Sequence, residues 1–493
     1  MSDLRHMQPL VSVIIPLYNM EKYIAETLDS VLASTYPCFE VVVMDDGSRD
    51  SSLEIARKYA EEDARLRVYT QPNGGVSAAR NHAISLAKGE FILPLDSDNT
   101  IEPTFISRAV ETVLSDPGIK VVAPTSDFFG ERTGLWKLEP FTIKKLARKN
   151  MLDAFALYRR SDWERVGGYS PEIRTREDWA FWIAVLKDGG KVVRLPGIEH
   201  HYRVRGNSKR VTHRGLKSSV VDTLNRLHPE FFERELGGRL HHNRSWSRFL
   251  NCLYRLVHPR RVRLSEEFAQ MKWQARALPA YFDFGSGHVI HSGRNELREL
   301  QWKGQTVVAK SFKIPNVLNR FVYGILRPSK AQRSMEYARL LRANGIGSPA
   351  PVAYYTERTL LLFSRSFYVC LKSRCGHSYV DLMRGDYPGQ EPVLRAIART
   401  AARMHDLGII HKDFSRGNIL FGEAADGGVE VEIIDLNRIR FHKVGIEEGC
   451  QNFERLPATP EMLRIIAHEY ATARGLDPEL CHKLITQHNH AVI

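Results

Sequence analysis

The chain of 493 residues has few of the features that mark secreted, membrane-spanning or metal-clustered proteins. Its six cysteines are scattered and form no CxxC pair, so the spacing favours reduced thiols over a zinc site or a disulfide framework. No run approaches the roughly eighteen apolar residues of a spanning helix. Residues 1–10 lack the charged and apolar regions of a signal peptide. We therefore expect a cytoplasmic protein.

Repeats and low-complexity tracts are also missing, and the composition is unlike that of a collagen or a coiled coil. Hydrophobic residues make up 43% of the chain and charged residues 26%, which is typical of soluble globular domains. A chain of this length predicts about three domains of ordinary size.

Positive charge, by contrast, is abundant and unevenly placed. The formal net charge is +13, and residues 201–263 alone carry 15 Lys or Arg against four Asp or Glu, a balance of +11. A local basic patch predicts an anionic partner, such as nucleic acid, anionic lipid headgroups or a phosphorylated glycolipid. The aromatic residues do not alternate with these charges as a base-stacking platform would, so we expect no nucleic acid partner.

The first half of the chain alternates predicted strands and helices. The strands are expected at 11–17, 40–44, 66–70 and 90–95, and the helices at 21–34, 51–62 and 76–88. This alternation predicts an α/β fold with a mostly parallel sheet covered by helices on both faces. Ligands of such sheets bind beyond the carboxyl ends of the strands, where Tyr18, Asp46 and Asp98 fall.

The middle of the chain, residues 211–275, has a helical and basic pattern. From Trp246 the apolar residues recur at helical spacing, and arginines fall between them, until His258-Pro259 ends the segment. The apolar members are Phe249, Leu250, Leu253 and Leu256, and the arginines are Arg244, Arg248 and Arg255. Such a helix can lie on a membrane surface, or it can pack its apolar side chains between two domains. The sequence leaves both interpretations open.

From about residue 276 strands precede helices, which is the order of a two-lobed kinase. Strands are expected at 307–310, 360–363 and 367–371, and helices at 329–343 and 391–407. We therefore predict three regions: an α/β domain over 1–210, a basic helical linker over 211–275, and a bilobal, protein-kinase-like α+β domain over 276–493.

One motif in the last region carries the arrangement used for phosphoryl transfer. Asp413 is followed five residues later by Asn418, and Asp435 ends the next apolar strand. The first carboxylate would orient or deprotonate an acceptor hydroxyl, while Asn418 and Asp435 would hold the metal ions on ATP. Lys310, in Val-Ala-Lys on a strand, would bind the ATP phosphates, and Glu336 on the following helix is its expected partner.

The region departs from a regulated protein kinase, because it has neither a GxGxxG loop nor an Ala-Pro-Glu activation segment. It resembles instead, over about 280–440, the bacterial lipopolysaccharide core kinases, which phosphorylate sugars such as Kdo or heptose. The resemblance is carried by Arg294-Asn295, Lys310, Ser329-Lys330-Ala331, the 345–351 segment and His411-Lys412-Asp413. The alternative is a non-catalytic module that keeps the fold and binds nucleotide or acceptor.

A second active site is indicated near the N-terminus, where Asp96-Ser97-Asp98 follows an apolar strand. Two carboxylates one residue apart at a strand end can bind Mg²⁺ or Mn²⁺ together with a diphosphate. Alone this motif is weak, because such a pair often caps a turn. Its value comes from the motifs that accompany it in order: residues 11–19, Asp45-Asp46-Gly47-Ser48, residues 73–81, Gly167-Gly168-Tyr169 and Arg176-Glu177-Asp178-Trp179.

With these motifs, residues 10–210 resemble the inverting family 2 glycosyltransferases of GT-A fold. The resemblance implies that Asp46 contacts the base of a nucleotide sugar, with Tyr18 nearby. Asp96 and Asp98 would hold ribose and metal, with Asp98 the direct metal ligand. Asp178 would be the general base that deprotonates the acceptor. The alternative for Asp178 is the N-cap of a helix that starts near Trp179.

Two such sites on one chain predict a bifunctional enzyme of envelope-glycan assembly. One domain would transfer a sugar from a nucleotide sugar, and the other would use ATP to phosphorylate a sugar on a glycolipid or lipopolysaccharide acceptor. The expected cofactor is Mg²⁺ or Mn²⁺. The expected location is peripheral, on the anionic inner face of a bacterial inner membrane.

Overall fold

The computed structural model describes residues 8–205, 217–314, 316, 320–323, 327–360, 362–383, 387 and 389–489. The chain divides into two compact units. The first is Met1–Cys252 with Asp283–Gly285, and the second is Leu253–Phe282 with Ser286–Ile493. The predicted domain boundary at 210–211 lies outside the described residues. Within the described residues, no helix is long and apolar enough to cross a membrane.

The first unit is built on a single mixed sheet. Its strands are β1 (Val11–Leu17), β2 (Phe39–Asp45), β3 (Leu66–Thr70), β4 (Phe91–Pro94), β5 (Thr100–Ile101), β6 (Ile119–Gly130), β7 (Gly134–Leu135), β8 (Leu157–Arg159) and β9 (Lys191–Val204). The order is β3-β2-β1-β4-β8-β6-β9-β5, with β7 paired to β6. The pairs β3-β2, β2-β1, β1-β4 and β6-β9 are parallel, whereas β8 and β5 run antiparallel to their neighbours. The predicted mostly parallel α/β fold is confirmed.

Helices cover both faces of this sheet. They are α1 (Ile24–Leu32), α2 (Ser52–Glu62), α3 (Val76–Leu86), α4 (Phe105–Ser115), α5 (Ile143–Leu146), α6 (Arg160–Val166), α7 (Glu177–Leu186), α8 (Lys217–Leu227) and α9 (Pro229–Leu236). The Val- and Ile-rich β1 and β2 are almost entirely buried, as central parallel strands are. Along β1, Val13 and Ile15 enter one apolar core while Ile14 enters the other.

The apolar core that contains Ile14 extends beyond the sheet domain predicted over residues 1–210. Side chains of α8, α9 and the segment after them pack into it, with Val220, Leu224, Phe231, Phe232 and Leu240 buried. Part of the stretch assigned to a linker therefore completes the core of the first unit.

The second unit has two parts, of which the first is an antiparallel sheet. Its strands are β10 (Arg260–Leu264), β11 (His288–Ser292), β12 (Glu296–Trp302), β13 (Gln305–Ser311), β14 (Pro351–Thr359) and β15 (Leu362–Leu371), in the order β10-β14-β15-β13-β12-β11. Two predictions are corrected here. The strands expected at 360–363 and 367–371 are one strand, β15, and β10 lies within the stretch predicted to be helical. The strands β11, β12 and β14 were not predicted. In β10 polar and apolar residues alternate, and in β15 the polar segment Ser364–Ser366 separates two apolar stretches, so short apolar runs mark neither strand well.

The second part is mainly helical and contains short strands. Helix α10 (Ser247–Val257) begins in the first unit and ends in the second, and α11 (Lys272–Arg276), α12 (Leu278–Asp283) and α13 (Lys330–Ala343) come before this part in the chain. The helices of the second part are α14 (Tyr379–Met383), α15 (Gln390–Asp406), α16 (Ile446–Gln451), α17 (Pro460–Arg474) and α18 (Pro478–His488). Its strands are β16 (His377–Ser378), β17 (Ile409–His411), β18 (Ile419–Glu423), β19 (Val429–Ile433) and β20 (Ile439–Phe441). The long α15 and α17 share one buried core with the strands that flank the predicted catalytic loop. Strands followed by helices, with this loop between β17 and β18, confirm the predicted kinase-like order.

Candidate functional sites

The residues that the sequence predicted for sugar transfer line one cavity of the first unit. The cavity has a volume of about 1170 Å³, and its lining includes Tyr18, Asp46, Asp96, Asp98 and Asp178. Tyr18 and Asp46 follow β1 and β2, and the Asp96–Asp98 pair follows β4. Because these parallel strands end at the same edge of the sheet, residues far apart in sequence meet there.

Asp46 is held by the loop that precedes α3. Its Oδ1 accepts hydrogen bonds from Gln71 Nε2 and Gly74 N, both at 2.8 Å, and its Oδ2 accepts from Gly75 N at 2.8 Å. Gly75 adopts a φ of +86°, which a residue with a Cβ rarely reaches, so a glycine suits the start of this helix. Asp46 therefore shapes the rim of the cavity beside the exposed ring of Tyr18.

The two carboxylates of the Asp96-Ser97-Asp98 motif are paired with different arginines. Arg80 Nη2 lies 2.6 Å from Asp96 Oδ1, and Arg205 Nη2 lies 2.7 Å from Asp98 Oδ2. Burial, together with the charge of Asp96, raises the pKa of Asp98 to about 6, against the opposing effect of Arg205 and Arg203. Arg203 Nε also donates to the backbone oxygen of Asp98 at 2.9 Å.

These carboxylates suit a divalent cation by their chemistry. They are hard oxygen donors at a partly buried strand end, one residue apart in the sequence. Within the residues that the structure describes, no group of three or more His, Cys, Asp or Glu side chains is gathered as a protein-only metal site. Mg²⁺ commonly takes one or two carboxylates from the protein and the rest of its ligands from phosphates and water, so two carboxylates are sufficient.

Arg80 links this motif to Glu177, the residue that precedes the predicted general base Asp178. Its side chain is buried, and Nη1 lies 2.7 Å from Glu177 Oε1, on the opposite side from Asp96. The guanidinium also lies over the ring of Tyr169, at 5.5 Å from the ring centroid. The sequence motif around Arg80 was recognised, but its role was not. An arginine among the small residues of α3 is the signal that could have identified it.

Asp178 lies in the first turn of α7. The helix begins at Glu177 and its N-cap is Arg176, so the alternative prediction of Asp178 as the N-cap is wrong. Asn150 Nδ2 donates to Asp178 Oδ2 at 2.6 Å, and Trp179 N donates to Oδ1 at 2.8 Å. The carboxylate opens on the cavity but is otherwise enclosed. Burial, then Glu177 and Asp153, raise the pKa of Asp178 to about 8, while Arg80 lowers it.

Asp153 is an acidic residue of the cavity that the sequence did not single out. Its Oδ1 accepts from Ala154 N at 2.6 Å, whereas Oδ2 is inaccessible to water and has no hydrogen-bond partner among the described residues. Burial, and next the charge of Asp96, raise the pKa of Asp153 to about 7. Asn150 and Asp153 were missed because they lie in a loop with no recognisable motif. Their polarity just before the apolar run 154–158 was the available signal.

The predicted phosphoryl-transfer residues come together in the second unit. Asn418 Nδ2 donates to the backbone oxygen of Asp413 at 2.9 Å, which closes the loop between β17 and β18. Ile434 N donates to the backbone oxygen of Asn418 at 3.0 Å, so the residue before Asp435 is bound to the same loop. The sequence spacing therefore corresponds to a real cluster of Asp413, Asn418 and Asp435.

Lys310 contacts this cluster, but not through the partner that was predicted. Its Nζ lies 2.7 Å from Asp435 Oδ1, whereas Glu336 is exposed and accepts a hydrogen bond from Gln332 at 2.8 Å. The prediction that Glu336 pairs with Lys310 is wrong. The buried side of α13 is formed by Ala331, Ser334, Met335, Ala338 and Leu341, which places Glu336 on the outer side.

A cationic cluster surrounds Lys330, with Asp435 nearby. Burial lowers the pKa of Lys330, and the neighbouring guanidinium groups of Arg294, Arg333 and Arg438 lower it further, against the effect of Asp435. Arg294 and Lys330 belong to the motifs that carried the resemblance, whereas Arg333 and Arg438 were not predicted. Several cations close together create a positive potential suited to a polyphosphate.

Asp435 itself has an unusual backbone conformation. Its φ is +56° and ψ is +47°, and Asn437 donates a hydrogen bond to its Oδ1. Five non-glycine residues of the described chain have a positive φ, and three of them, Asn19, Arg176 and Asp435, adjoin or form a predicted site. Backbone strain of this kind persists where the surrounding structure imposes it, and it is concentrated at functional positions.

Asp413 pairs with two arginines that the sequence did not identify. Arg455 Nη1 lies 2.9 Å from Oδ1, and Arg438 Nη1 lies 3.3 Å from Oδ2. Its sequence neighbour Lys412 pairs instead with Glu448 at 2.8 Å, so pairing of Asp413 with Lys412 is not observed. The carboxylate is half-buried, with one arginine on each of its oxygens.

Comparisons with known proteins follow the division of the chain into two sites. Residues 12–174 match Glycosyl transferase family 2, and residues 318–468 match the Lipopolysaccharide kinase (Kdo/WaaP) family. The hyaluronan synthase of Pasteurella multocida is 30% identical over 227 residues, which are 44% of this chain and 23% of that protein. This chain therefore spans less than a quarter of that relative. The putative teichuronic acid biosynthesis glycosyltransferase TuaG of Bacillus subtilis is 31% identical over 207 residues, 41% of this chain and 81% of that protein.

Among solved structures, S. aureus TarS in complex with UDP-GlcNAc is similar at 19% sequence identity. The match covers 60% of this chain and 96% of that one, with a TM-score of 0.41. A score of this size is too low to support a functional comparison.

Proposed function

We propose that this chain, which belongs to glycosyl transferase family 2 and carries a lipopolysaccharide kinase (Kdo/WaaP) family domain, performs two transfers in envelope-glycan assembly. The first unit transfers a sugar, with inversion, from a nucleotide sugar to a glycolipid or polysaccharide acceptor. The second unit phosphorylates a sugar with ATP, and the proposed acceptor is the lipopolysaccharide core.

In the sugar-transfer site a single base is sufficient for inversion, because attack and departure take place on opposite faces of the sugar. Asp178 is the proposed base, held at its Oδ2 by Asn150. Tyr18, Asp46 and Asp96 are proposed to bind the nucleotide at the strand ends, and Asp98 is the proposed metal ligand. When bound there, a divalent cation stabilises the negative charge of the departing diphosphate.

In the phosphoryl-transfer site Asp413 is the proposed residue that orients the acceptor hydroxyl. Asn418 and Asp435 provide amide and carboxylate oxygens of the kind that hold Mg²⁺ on ATP. Lys310, 2.7 Å from Asp435, is proposed to bind the phosphates. The cations around Lys330 add positive potential on the same side.

The observation that carries the proposal is that the residues of each predicted set lie together, with Glu336 as the exception. Five of the predicted residues line one cavity, and Lys310, Asp413, Asn418 and Asp435 surround one loop. Neither grouping follows from proximity in sequence, since Asp178 and Tyr18 are 160 positions apart and Lys310 and Asp435 are 125 apart.

A second candidate is an active glycosyltransferase whose kinase-like module binds nucleotide or acceptor without turnover. One observation favours it: Lys310 pairs with Asp435, while Glu336 is exposed on the far side of α13. In active protein kinases the lysine pairs with a glutamate of the helix that follows it. ATP consumption stimulated by acceptor would exclude this candidate.

The proposed acceptor is attached to a membrane, so the proposal includes a peripheral location at the anionic inner surface of a bacterial inner membrane. The basic balance of residues 201–263 supports it, although residues 206–216 of that stretch lie outside the described residues.

The test is the mass of the lipopolysaccharide core in a deletion strain of the source bacterium. The strain is complemented with wild type, Asp178→Ala or Asp413→Ala, and with the matched controls Asp188→Ala and Asp426→Ala, which replace exposed acids outside both sites. We expect the first variant to lack one sugar and the second to lack one phosphate, while both controls restore the wild-type mass. A core that is unchanged by Asp413→Ala would favour the non-catalytic module. A core that is unchanged by both variants would reject the lipopolysaccharide assignment.

A further inference from the structure

The helix α10, Ser247–Val257, is oriented opposite to an ordinary surface helix. Such helices bury their apolar stripe and expose their polar side. In α10 the buried residues are Ser247 and Asn251, both polar. Most of its apolar side chains, among them Phe249, Leu253 and Leu256, are exposed instead, so this helix presents to solvent a surface that folding normally buries.

The polar side is fixed by a specific hydrogen-bond network. Asn251 Nδ2 donates to the backbone oxygens of Arg239 at 2.9 Å and Leu236 at 3.2 Å, and Asn251 Oδ1 lies 2.9 Å from His241 Nε2. Ser247 Oγ accepts from His241 N at 3.0 Å. Because buried polar groups that lose their partners are costly, this network sets the rotation of the helix and prevents it from turning its apolar side inward.

The outer side carries a continuous apolar stripe. The exposed fractions are 54% for Trp246, 52% for Phe249, 45% for Leu253 and 74% for Leu256. These positions recur at intervals of three and four residues, and Trp246 ends the 3-10 turn that leads directly into α10, so the four side chains follow one helical face. Trp246 and Phe249 also pack edge to face, with ring centroids 5.5 Å apart. An exposed apolar stripe of this size marks an interaction surface.

The charges around the stripe indicate the partner. Residues 241–265 contain six arginines and no Asp or Glu. Arg248 and Arg255 on the helix and Arg261 and Arg263 on β10 are exposed. Arg244, in contrast, is directed inward over the ring of Trp179, at 5.6 Å. Apolar side chains bordered by arginines on one side of a helix are the pattern of a helix that lies in the headgroup region of a bilayer.

We propose that the outer face of α10, with Trp246, Phe249, Leu253 and Leu256 as apolar anchors, inserts into the surface of an anionic lipid bilayer. The inference deepens the proposed peripheral location and rests on it, and it names the segment that makes the contact. The apolar anchors enter the boundary between headgroups and acyl chains, and the exposed arginines pair with lipid phosphates.

The experiment measures binding of the full chain to vesicles without any sugar or ATP substrate. The vesicles contain phosphatidylethanolamine with or without phosphatidylglycerol, and bound protein is quantified by sedimentation. The apolar variant is Phe249→Ser with Leu256→Ser, and its control is Leu114→Ser with Leu480→Ser, which removes two exposed leucines elsewhere. The charge variant is Arg248→Gln with Arg255→Gln, and its control is Arg57→Gln with Arg464→Gln, which leaves the same net charge.

We expect binding to anionic vesicles that weakens at least tenfold in the apolar variant, since two large side chains lose their burial in lipid. The charge variant should lose about fivefold per arginine, the factor that corresponds to about 1 kcal/mol. The controls should bind as wild type does, and higher salt should weaken binding in all of them. Circular dichroism melting curves that match wild type would show that the substituted side chains are not needed for folding.

Three results would overturn the proposal. One is binding that does not depend on phosphatidylglycerol, and another is equal loss in variants and controls. The third is a wild-type dimer that the apolar variant converts to a monomer, because a second copy of the chain would then cover the stripe. Each result leaves the proposed transfers untouched, because no step of either reaction is measured; conversely, inactive Asp178→Ala protein should still bind vesicles.

Discussion

The rate of sugar transfer should depend on pH through Asp178, and the charge of Asp153 should help to set the pH at which the rate begins to fall. Burial, Glu177 and Asp153 raise the pKa of Asp178 to about 8. A general base acts only when it is deprotonated, so activity is present above this pKa and is lost as the pH falls through it. Each pH unit below the pKa should reduce kcat/KM about tenfold, which makes the rate at pH 6 roughly one hundredth of its alkaline plateau.

Two single changes near the base should move the acidic limb of the pH–rate profile in opposite directions. Asp153→Asn removes a negative neighbour and keeps the shape, so the pKa of Asp178 should fall and activity should extend to lower pH. Asn150→Ala removes the hydrogen bond of 2.6 Å that Asp178 Oδ2 accepts, so the pKa should rise and the limb should move to higher pH. A general loss of structure would not produce shifts of opposite sign.

The assay is the release of nucleoside diphosphate from UDP-glucose, UDP-GlcNAc or GDP-mannose, followed from pH 5.5 to 9.5 with whichever donor is turned over. Asp188→Asn, an exposed change near the end of α7, is the matched control and should keep the wild-type profile. Asp178→Asn should lower kcat by about 10²-fold or more at every pH. If the acidic limb of the pH–rate profile stays in place in both Asp153→Asn and Asn150→Ala, or moves in the same direction in both, the assignment of this limb to Asp178 is refuted.

Three further predictions concern the charged pairs. Arg80→Met leaves Asp96 and Glu177 without their cation and should lower the free energy of unfolding by about 2–4 kcal/mol. This value is smaller than the cost of breaking a fully buried pair, because Asp96 is partly exposed. A loss under about 1 kcal/mol in guanidinium titrations would contradict the prediction. Lys310→Met should weaken Mg-ATP binding by at least tenfold in calorimetric titrations, since one charged hydrogen bond to phosphate is lost; unchanged affinity would contradict the role of Lys310. Arg455→Gln removes the partner 2.9 Å from the carboxylate of Asp413, so phosphorylation should slow while ATP affinity stays at its wild-type value; a parallel loss of both would indicate a structural role.

The parts of the molecule that could be predicted from sequence are those set by local pattern. Strands such as Val11–Leu17 and Phe39–Asp45 are continuous runs of β-forming residues, so their position and their parallel arrangement were evident. Residues at the ends of these strands, such as Asp46 and Asp98, necessarily meet at one edge of the sheet. The grouping of Asp413 with Asn418 follows in the same way from a short loop between two strands.

The parts that could not be predicted depend on contacts between distant segments. Glu336 was chosen from its spacing after Lys310, but the rotation of α13 is decided by which of its residues the core accepts. Asp153 has no motif, and its proximity to Asp178 appears only when its loop folds over the sheet. The outward direction of the apolar stripe of α10 is set by the partners of Asn251, which lie 10 to 15 residues away.

The long strand β9 has a practical consequence for dividing the chain. It pairs with β6 along most of its length. The strand begins at Lys191, so all of it lies after residue 174, where the family match ends. Its last residues deliver Arg203 to the backbone of Asp98, and Arg205 follows. A fragment cut at residue 174 would therefore lose Asp178 and both arginines. A fragment cut at 210 would keep them but leave behind the buried side chains of α8 and α9, so expression of the sugar-transfer unit should begin with fragments that continue past residue 240.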